Sequence, residues 1–380
     1  MNKNLIALAV AAATFSGAAS AATVYSDDTS SLAIGGRVEA RALSSENGKQ
    51  ELATSFNNQA AYEKALVGQH TSNDVTDISR VRVNIDAKTQ IADGVQGIGY
   101  FEREFKSDNA NDENRYIYAG VNSDKYGQIV YGKADGSLGM ITDFTDIMAY
   151  AGSVVGGSKL AVSDRTSNNL AYSGTFNNLT FKANYVFDGA SYDAQTGQKT
   201  NANGFSTAAK YAVGDTGLAL GVGYAQQKAQ KEFNNIPFSN SASAADKAKN
   251  ATTSQASKQT FVVASYTVGD LYFGGLYKYG HHDANNLVNG DLTDSQGYEF
   301  AAAYTMGKAV FTTTYGFMKD ERNTSGAYDE LANAVSVDGT YYFNSNFRTY
   351  ASYTYNMLDK NKVGKVAASD QVVLGARYDF

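Results

Sequence analysis

The chain has 380 residues, among them 36 Gly, 27 Tyr, 19 Phe and a single Pro, and it contains neither Cys nor Trp, which excludes disulfide frameworks and thiolate metal sites. Its 43% apolar content excludes wholesale disorder, and its glycines show no period of three, which excludes collagen. A formal charge of −6 leaves no basic surface for the phosphates of nucleic acid.

At the N-terminus, Lys3 precedes an apolar run over residues 5–15, and small residues follow to Ala19, Ser20 and Ala21. This order predicts a secretory signal peptide at 1–21, with an Ala-x-Ala cleavage site and a mature chain beginning at Ala22. Beyond it, no uninterrupted apolar stretch approaches the roughly 18 residues that a membrane-spanning helix requires.

From Leu32 onward the texture has a period of two, which is the period of strands. First, Leu32, Ile34, Val38, Ala40 and Ala42 share one face, and Arg37, Glu39 and Arg41 the other. Next, Val81, Val83, Ile85 and Ala87 oppose Arg80, Arg82, Asn84, Asp86 and Lys88. Further along, Leu179, Phe181, Ala183, Tyr185 and Phe187 alternate with Thr180, Lys182 and Asn184, while Leu218, Leu220, Val222 and Tyr224 alternate with Ala219, Gly221 and Gly223. Near the end, Phe347, Ala351, Tyr353, Tyr355 and Met357 oppose Arg348, Ser352, Thr354 and Asn356. Sixteen strands are predicted, centred near Arg37, Arg82, Tyr100, Tyr118, Ile129, Ala171, Ala183, Ala209, Val222, Val263, Phe273, Ala302, Thr313, Val337, Tyr353 and Leu374. Short turns, such as those at 268–270, 306–308 and 343–346, alternate with long polar stretches at 44–76, 133–164, 188–204, 228–258, 281–295 and 320–329. That alternation describes an antiparallel meander of hairpins, and residues 239–258 within it are low in complexity.

A soluble sandwich would have to bury the charged face in a dry core at several kcal/mol per unpaired group. An exported chain whose strands are oily on one face and ionised on the other instead predicts an all-β fold, a transmembrane antiparallel up-and-down barrel in which closure satisfies every backbone donor and acceptor. Tyrosines at strand ends (Tyr211, Tyr224, Tyr266, Tyr272, Tyr304, Tyr315, Tyr341, Tyr342, Tyr353, Tyr355, Tyr378) suit the interface belts, and ordinary strand propensity is the competing account of any single one. Sixteen strands leave a lumen wide enough for water.

Gly35, Gly36 and Arg37, residues 79–85 (SRVRVNI), 114–120 (NRYIYAG), 131–148 (YGKADGSLGMITDFTDIM) and 362–380 (KVGKVAASDQVVLGARYDF) resemble the general porins of Gram-negative bacteria, the OmpU/OmpC type, and within them the OmpU-type porins of vibrios and their marine relatives. The resemblance runs along nearly the whole mature chain, residues 22–380, and is weakest in the stretches at 44–76 and 239–258. It implies an outer-membrane homotrimer of sixteen-stranded barrels, each narrowed by an inward-folded third loop at about 133–164, surrounded by outer-membrane lipid and lipopolysaccharide. It also implies assembly through machinery that reads the last strand, ending in Phe380. Carried over by position, the basic residues of the constriction are Arg37, Arg82, Arg115 and Arg165, with Arg80 nearby, and the acidic ones are Asp146 and Asp143. Enterobacterial relatives carry Pro-Glu-Phe-Gly-Gly just beyond; here Ala149, Tyr150, Ala151, Gly152 and Ser153 stand instead, so the second loop carboxylate is missing from its usual place.

Each of these residues also has a structural reading. The arginines can be wall charges paired locally, Arg82 with Asp86 or Glu102 for example, and Asp143 and Asp146 can cap a helix in the loop. Passive diffusion of ions and small hydrophilic solutes, weakly favouring cations, is the function expected; a solute-specific channel and a surface adhesin or receptor are the alternatives. Catalysis is not expected, since no Gly-x-Ser-x-Gly elbow occurs and the three histidines, His70, His281 and His282, fall in predicted loops. No cofactor is implied, and His281, His282 and Asp283 form too weak a set for a metal.

Overall fold

The computed structural model describes residues 21–46, 75–107, 112–187, 191–192, 199–200, 203–228, 257–282, 292–322 and 328–380. The signal segment, His70, Asp283 and most of the low-complexity stretch lie outside them. The strands are β1 (Ala22–Ser26), β2 (Ser30–Ser45), β3 (Thr76–Asp77), β4 (Arg80–Ala92), β5 (Val95–Lys106), β6 (Glu113–Ser123) and β7 (Gly127–Ala134). After a short helix, α1 (Gly139–Thr142), follow β8 (Thr166–Phe176), β9 (Leu179–Val186), β10 (Ser191–Tyr192), β11 (Lys199–Thr200), β12 (Gly204–Ala212) and β13 (Leu218–Gln227). The remainder comprises β14 (Ser257–Val268), β15 (Leu271–His282), β16 (Leu292–Met306), β17 (Ala309–Arg322), β18 (Tyr328–Tyr342), β19 (Phe347–Asn356), helix α2 (Lys360–Val363) and β20 (Gln371–Asp379).

Sixteen long strands, namely β2, β4 to β9 and β12 to β20, pair antiparallel with their neighbours into one closed barrel. Each of the sixteen expected centres falls within one of them. The seam is closed by β2, which pairs with β4 (Arg37↔Arg82) and with β20 (Arg37↔Asp379). Two backbone hydrogen bonds between Gly36 and Phe380, 2.9 and 3.0 Å, end that ladder, and β1, which alternation did not reveal, takes over from Ile34 (Ala22↔Ile34). A two-residue strand, β3, adds a rung to β2, and β10 with β11 forms a separate hairpin.

The solvents are arranged as the alternation requires. Phe300 and Leu374 are 57% and 58% exposed on the outer wall, whereas Glu39, Glu299 and Lys278, facing inward, are 1 to 2% exposed. Apolar groups in contact with lipid and ions turned inward invert the pattern of a soluble domain. Two tyrosines expected in the outer belt face inward instead. Tyr272 donates to the Phe144 carbonyl at 2.7 Å, and Tyr342 accepts from Arg348 at 3.1 Å. His281 and His282 end β15 rather than lying in a loop, and His281 pairs with Asp294 at 2.6 Å.

Candidate functional site: a loop lodged in the lumen

Residues 135–165, between β7 and β8, fold into the barrel, close to the expected bounds of the third loop. Hydrophobic burial seats them. Leu138, Ile141, Val155 and Val162 are fully buried, and with Met140 and Phe144 they form one cluster with Val186, Ala208, Ala225, Phe261, Val263, Leu276 and Met318 of the wall. Burying a side chain of this size contributes about 1.5 to 3 kcal/mol. The wall makes room by presenting glycine. A Cβ at Gly223 would lie 2.3 Å from Leu138 Cδ2, and one at Gly316 would lie 2.2 Å from Val154 Cγ2.

Polar tethers fix the loop's backbone along the same arc. Ser137 N donates to Asn184 at 3.0 Å, Ala149 N to Asp338 at 2.7 Å, Val155 N to Glu299 at 3.1 Å and Leu160 N to Gln259 at 2.8 Å. Lys278, buried beneath the loop, donates to Ser158 Oγ at 2.7 Å. The loop is thereby pinned to strands β9 to β18, and the open lumen lies between it and a wall made by β2, β4, β5 and β6 on one side and by β16 to β20 beyond.

That wall carries the expected basic residues. Arg80 donates to Glu39 at 2.7 Å and to Glu104 at 3.3 Å, Arg82 pairs closely with Glu104 and more loosely with Glu102 at 4.0 Å, and Arg115 bonds Glu102 at 2.5 Å. Arg37 forms one ion pair among the described residues, with Glu39 at 3.9 Å, and its Nε has no hydrogen-bond partner among them. Of the partners expected for Arg82, Glu102 is therefore near, while Glu104, two residues further along β5, is nearer. Glu39, which the sequence placed on the charged face with Arg37, Glu102, expected beside Arg82, and Glu104, which sequence reasoning did not select, neutralise most of the arginine ladder.

Facing the wall are the loop carboxylates. A cavity of about 760 Å3 is bounded by Arg37, Arg82 and Arg115 on one side and by Asp143 and Asp146 on the other. An adjoining cavity of about 640 Å3 shares Arg37, Asp143 and Asp146 and adds Arg80. Arg165 lines neither; it pairs with Glu113 at 2.9 Å and lies over the Tyr116 ring at 5.5 Å, beyond the return of the loop.

The two aspartates sit at and beyond the C-terminal end of the loop helix rather than at its N-cap. Asp143 occupies the C-cap of α1, whose N-cap is Leu138 with no side-chain cap, and Asp146 accepts Ser153 N at 3.2 Å in the turn that follows. Neither carboxylate forms an ion pair among the described residues. Loss of solvent pushes the Asp143 carboxyl up to about 6, with Lys182 opposing the shift and Asp146 and Asp135 adding to it.

A closed barrel with an oily exterior, an ionised lumen and a loop narrowing that lumen defines a pore protein of the outer membrane. The profile of the Gram-negative porin family matches residues 7–361, and the chain belongs to that family. Porin-like protein L of Photobacterium profundum is 52% identical over the full length of both chains, and outer membrane protein U of Vibrio cholerae (El Tor strain N16961) is 38% identical, again over all of both. Among solved structures, Salmonella typhi OmpF in complex with daunomycin superposes with a TM-score of 0.69 at 18% identity, covering 94% of this chain and 100% of that one. The trimer form of Vibrio cholerae OmpT gives 0.65 at 21%, covering 93% and 100%. The protein is an outer-membrane porin of a Gram-negative bacterium, a channel rather than an enzyme.

Proposed function

We propose that the pore conducts ions and small hydrophilic solutes by passive diffusion, with a weak preference for cations, and that the gap between Asp143, Asp146 and the arginine wall is its constriction. Nine acidic and ten basic side chains line the two cavities, so the lining as a whole is close to neutral and strong selection of either sign is not expected. The sign follows from which charges remain uncompensated. Arg80, Arg82 and Arg115 are held by Glu39, Glu104 and Glu102, whereas among the described residues Asp143 and Asp146 form no ion pair, Lys182 and Lys159 acting on them only from beyond ion-pair distance, and Asp146 is exposed to the lumen. Unpaired carboxylates across from a largely neutralised wall raise the local concentration of cations, and salt screens the effect. No step requires a nucleophile or a cofactor.

This unpaired acidic pair carries the reading, and reversal potentials across a planar bilayer in a KCl gradient test it. Potassium should be preferred modestly over chloride, and Asp146→Asn should reduce the preference. Chloride preference in the unaltered protein, or a reversal potential unmoved by Asp146→Asn, overturns it. Assembly as a homotrimer in lipid and lipopolysaccharide, with the last strand ending in Phe380 read by the assembly machinery, belongs to the same reading. The likeness to an OmpT trimer form supports the trimer. A predicted signal peptide at 1–21 supports the outer-membrane placement, since insertion there needs export.

A further inference from the structure

The lumen holds an aromatic group that ion conduction does not use. Tyr100 of β5 and Tyr116 and Tyr118 of β6 all point inward, beside the arginine wall. Tyr100 and Tyr118 are stacked with centroids 5.4 Å apart, and Tyr116 meets Tyr118 edge-on at 6.3 Å. Tyr116 is fixed, because its hydroxyl donates to both oxygens of Asp135, at 2.9 and 3.0 Å, and Arg115 and Arg165 lie over its ring. Behind this group an alcove of about 180 Å3 branches from the larger cavity. Tyr116, Tyr118, Gln128, Asp135 and Lys182 border both spaces, so the alcove opens on the path of the permeating solute.

We infer that this alcove is a binding site for the pyranose ring of a neutral sugar passing through the pore. The size fits one ring, since a cavity of about 150 Å3 suffices for a benzene-sized guest. The chemistry fits a sugar better than other rings. A pyranose presents an apolar C–H face that packs on a tyrosine ring and an equatorial rim of hydroxyls that both donate and accept. Tyr118 supplies the ring. Gln128 supplies an amide and Lys182 an ammonium, neither of which is hydrogen-bonded or ion-paired through its side chain among the described residues, and Asp135 supplies an exposed acceptor. The Lys182 charge disfavours organic cations, and the density of polar groups disfavours a purely apolar aromatic guest, which would leave them unpaired.

The inference rests on the diffusion-pore reading, and the test separates the two. Purified trimers in a planar bilayer are titrated with maltose at constant salt while single-channel current is recorded. Saturable block with excess current noise is expected. Tyr118→Ala should raise the half-blocking concentration roughly two- to tenfold, the worth of one aromatic contact, and Tyr118→Phe should leave it near the original value. Normal conductance steps with a current that falls only linearly with maltose, equally in the unaltered protein and in Tyr118→Ala, overturn the sugar site while leaving the pore intact. So does saturable block by benzoate without block by maltose. Absence of conductance steps overturns the pore itself.

Discussion

If the loop is seated because the wall gives way to it, then adding a single methyl group at the seat should move it. In Gly223→Ala the new Cβ would lie 2.3 Å from Leu138 Cδ2 and 3.1 Å from Ile141 Cγ1. Carbon atoms settle near 3.5 Å or beyond, so the contact must open by about 1.2 Å. Leu138 is fully buried in a packed cluster, which leaves little room for another rotamer. The displacement is therefore passed to α1, away from β13 and toward the wall bearing Arg37 and Arg82. Overpacking of this kind costs about 1 to 3 kcal/mol, and Leu138→Ala alone, which empties the seat, about 2 to 5 kcal/mol. Because the two changes act on the same contact, their effects should not add: the Gly223→Ala, Leu138→Ala pair should be less destabilised than the sum by at least about 1 kcal/mol. The assay is single-channel conductance together with the thermal midpoint of the trimer. Gly223→Ala should conduct less than the unaltered protein, and the double variant should recover part of the loss. Unchanged conductance in Gly223→Ala, or strict additivity in the cycle, would refute the seating argument.

Three further outcomes follow from the same geometry. With its carboxyl raised to about 6, Asp143 is ionised above that pH and neutral below it, so cation preference should decline as the pH falls through 6, and Asp143→Asn should remove that step from the reversal potential measured against pH. Glu104→Gln deletes the charge that neutralises Arg82, so the permeability ratio of potassium to chloride should fall to roughly unity in the same bilayer experiment. Glu299→Leu removes the acceptor for Val155 N. At about 1 to 3 kcal/mol for an orphaned buried donor, it should loosen the loop and add flicker to the single-channel trace, whereas Glu299→Gln, which keeps an acceptor, should stay quiet.

The barrel was legible because each face of each strand meets one solvent throughout, so a period of two survives in the residues themselves. Val38 and Glu39, or Phe181 and Lys182, state their sides without any knowledge of the fold. The pattern fails where the lumen is not wet. On β14, Phe261, Val262 and Val263 run together because Val262, 51% exposed, meets lipid while Phe261 and Val263 meet the loop. Gly221 and Gly223 in the inner register were visible as a row of small residues, but their purpose is a contact with Leu138 and Ile141 about eighty positions away. Tyr272 and Tyr342 were placed by residue type at a strand end, and register rather than type decided their side.

The proposed constriction shows the same division between what a residue is and what it is paired with. Arg37, Arg80, Arg82, Arg115, Asp143 and Asp146 could be picked out by charge and by resemblance, and all six border the open lumen. The charge each exerts depends on neighbours across the sheet. Glu104 lies beside Arg82 only because the β4–β5 register sets the two opposite one another. Glu39 serves Arg80 through the β2–β4 register in the same way. On the proposed reading, cross-strand pairing offsets charge on the wall while the loop carboxylates, having no strand partner, form no ion pair among the described residues, so the field across the pore follows topology as much as composition. Moving a carboxylate from loop to wall at constant net charge should therefore change selectivity. Asp146→Asn combined with Asn84→Asp, which keeps the total and relocates one negative charge onto β4 beside Arg82, should conduct with less cation preference than the unaltered protein. Equal reversal potentials in the two would show that net lumen charge alone sets the sign.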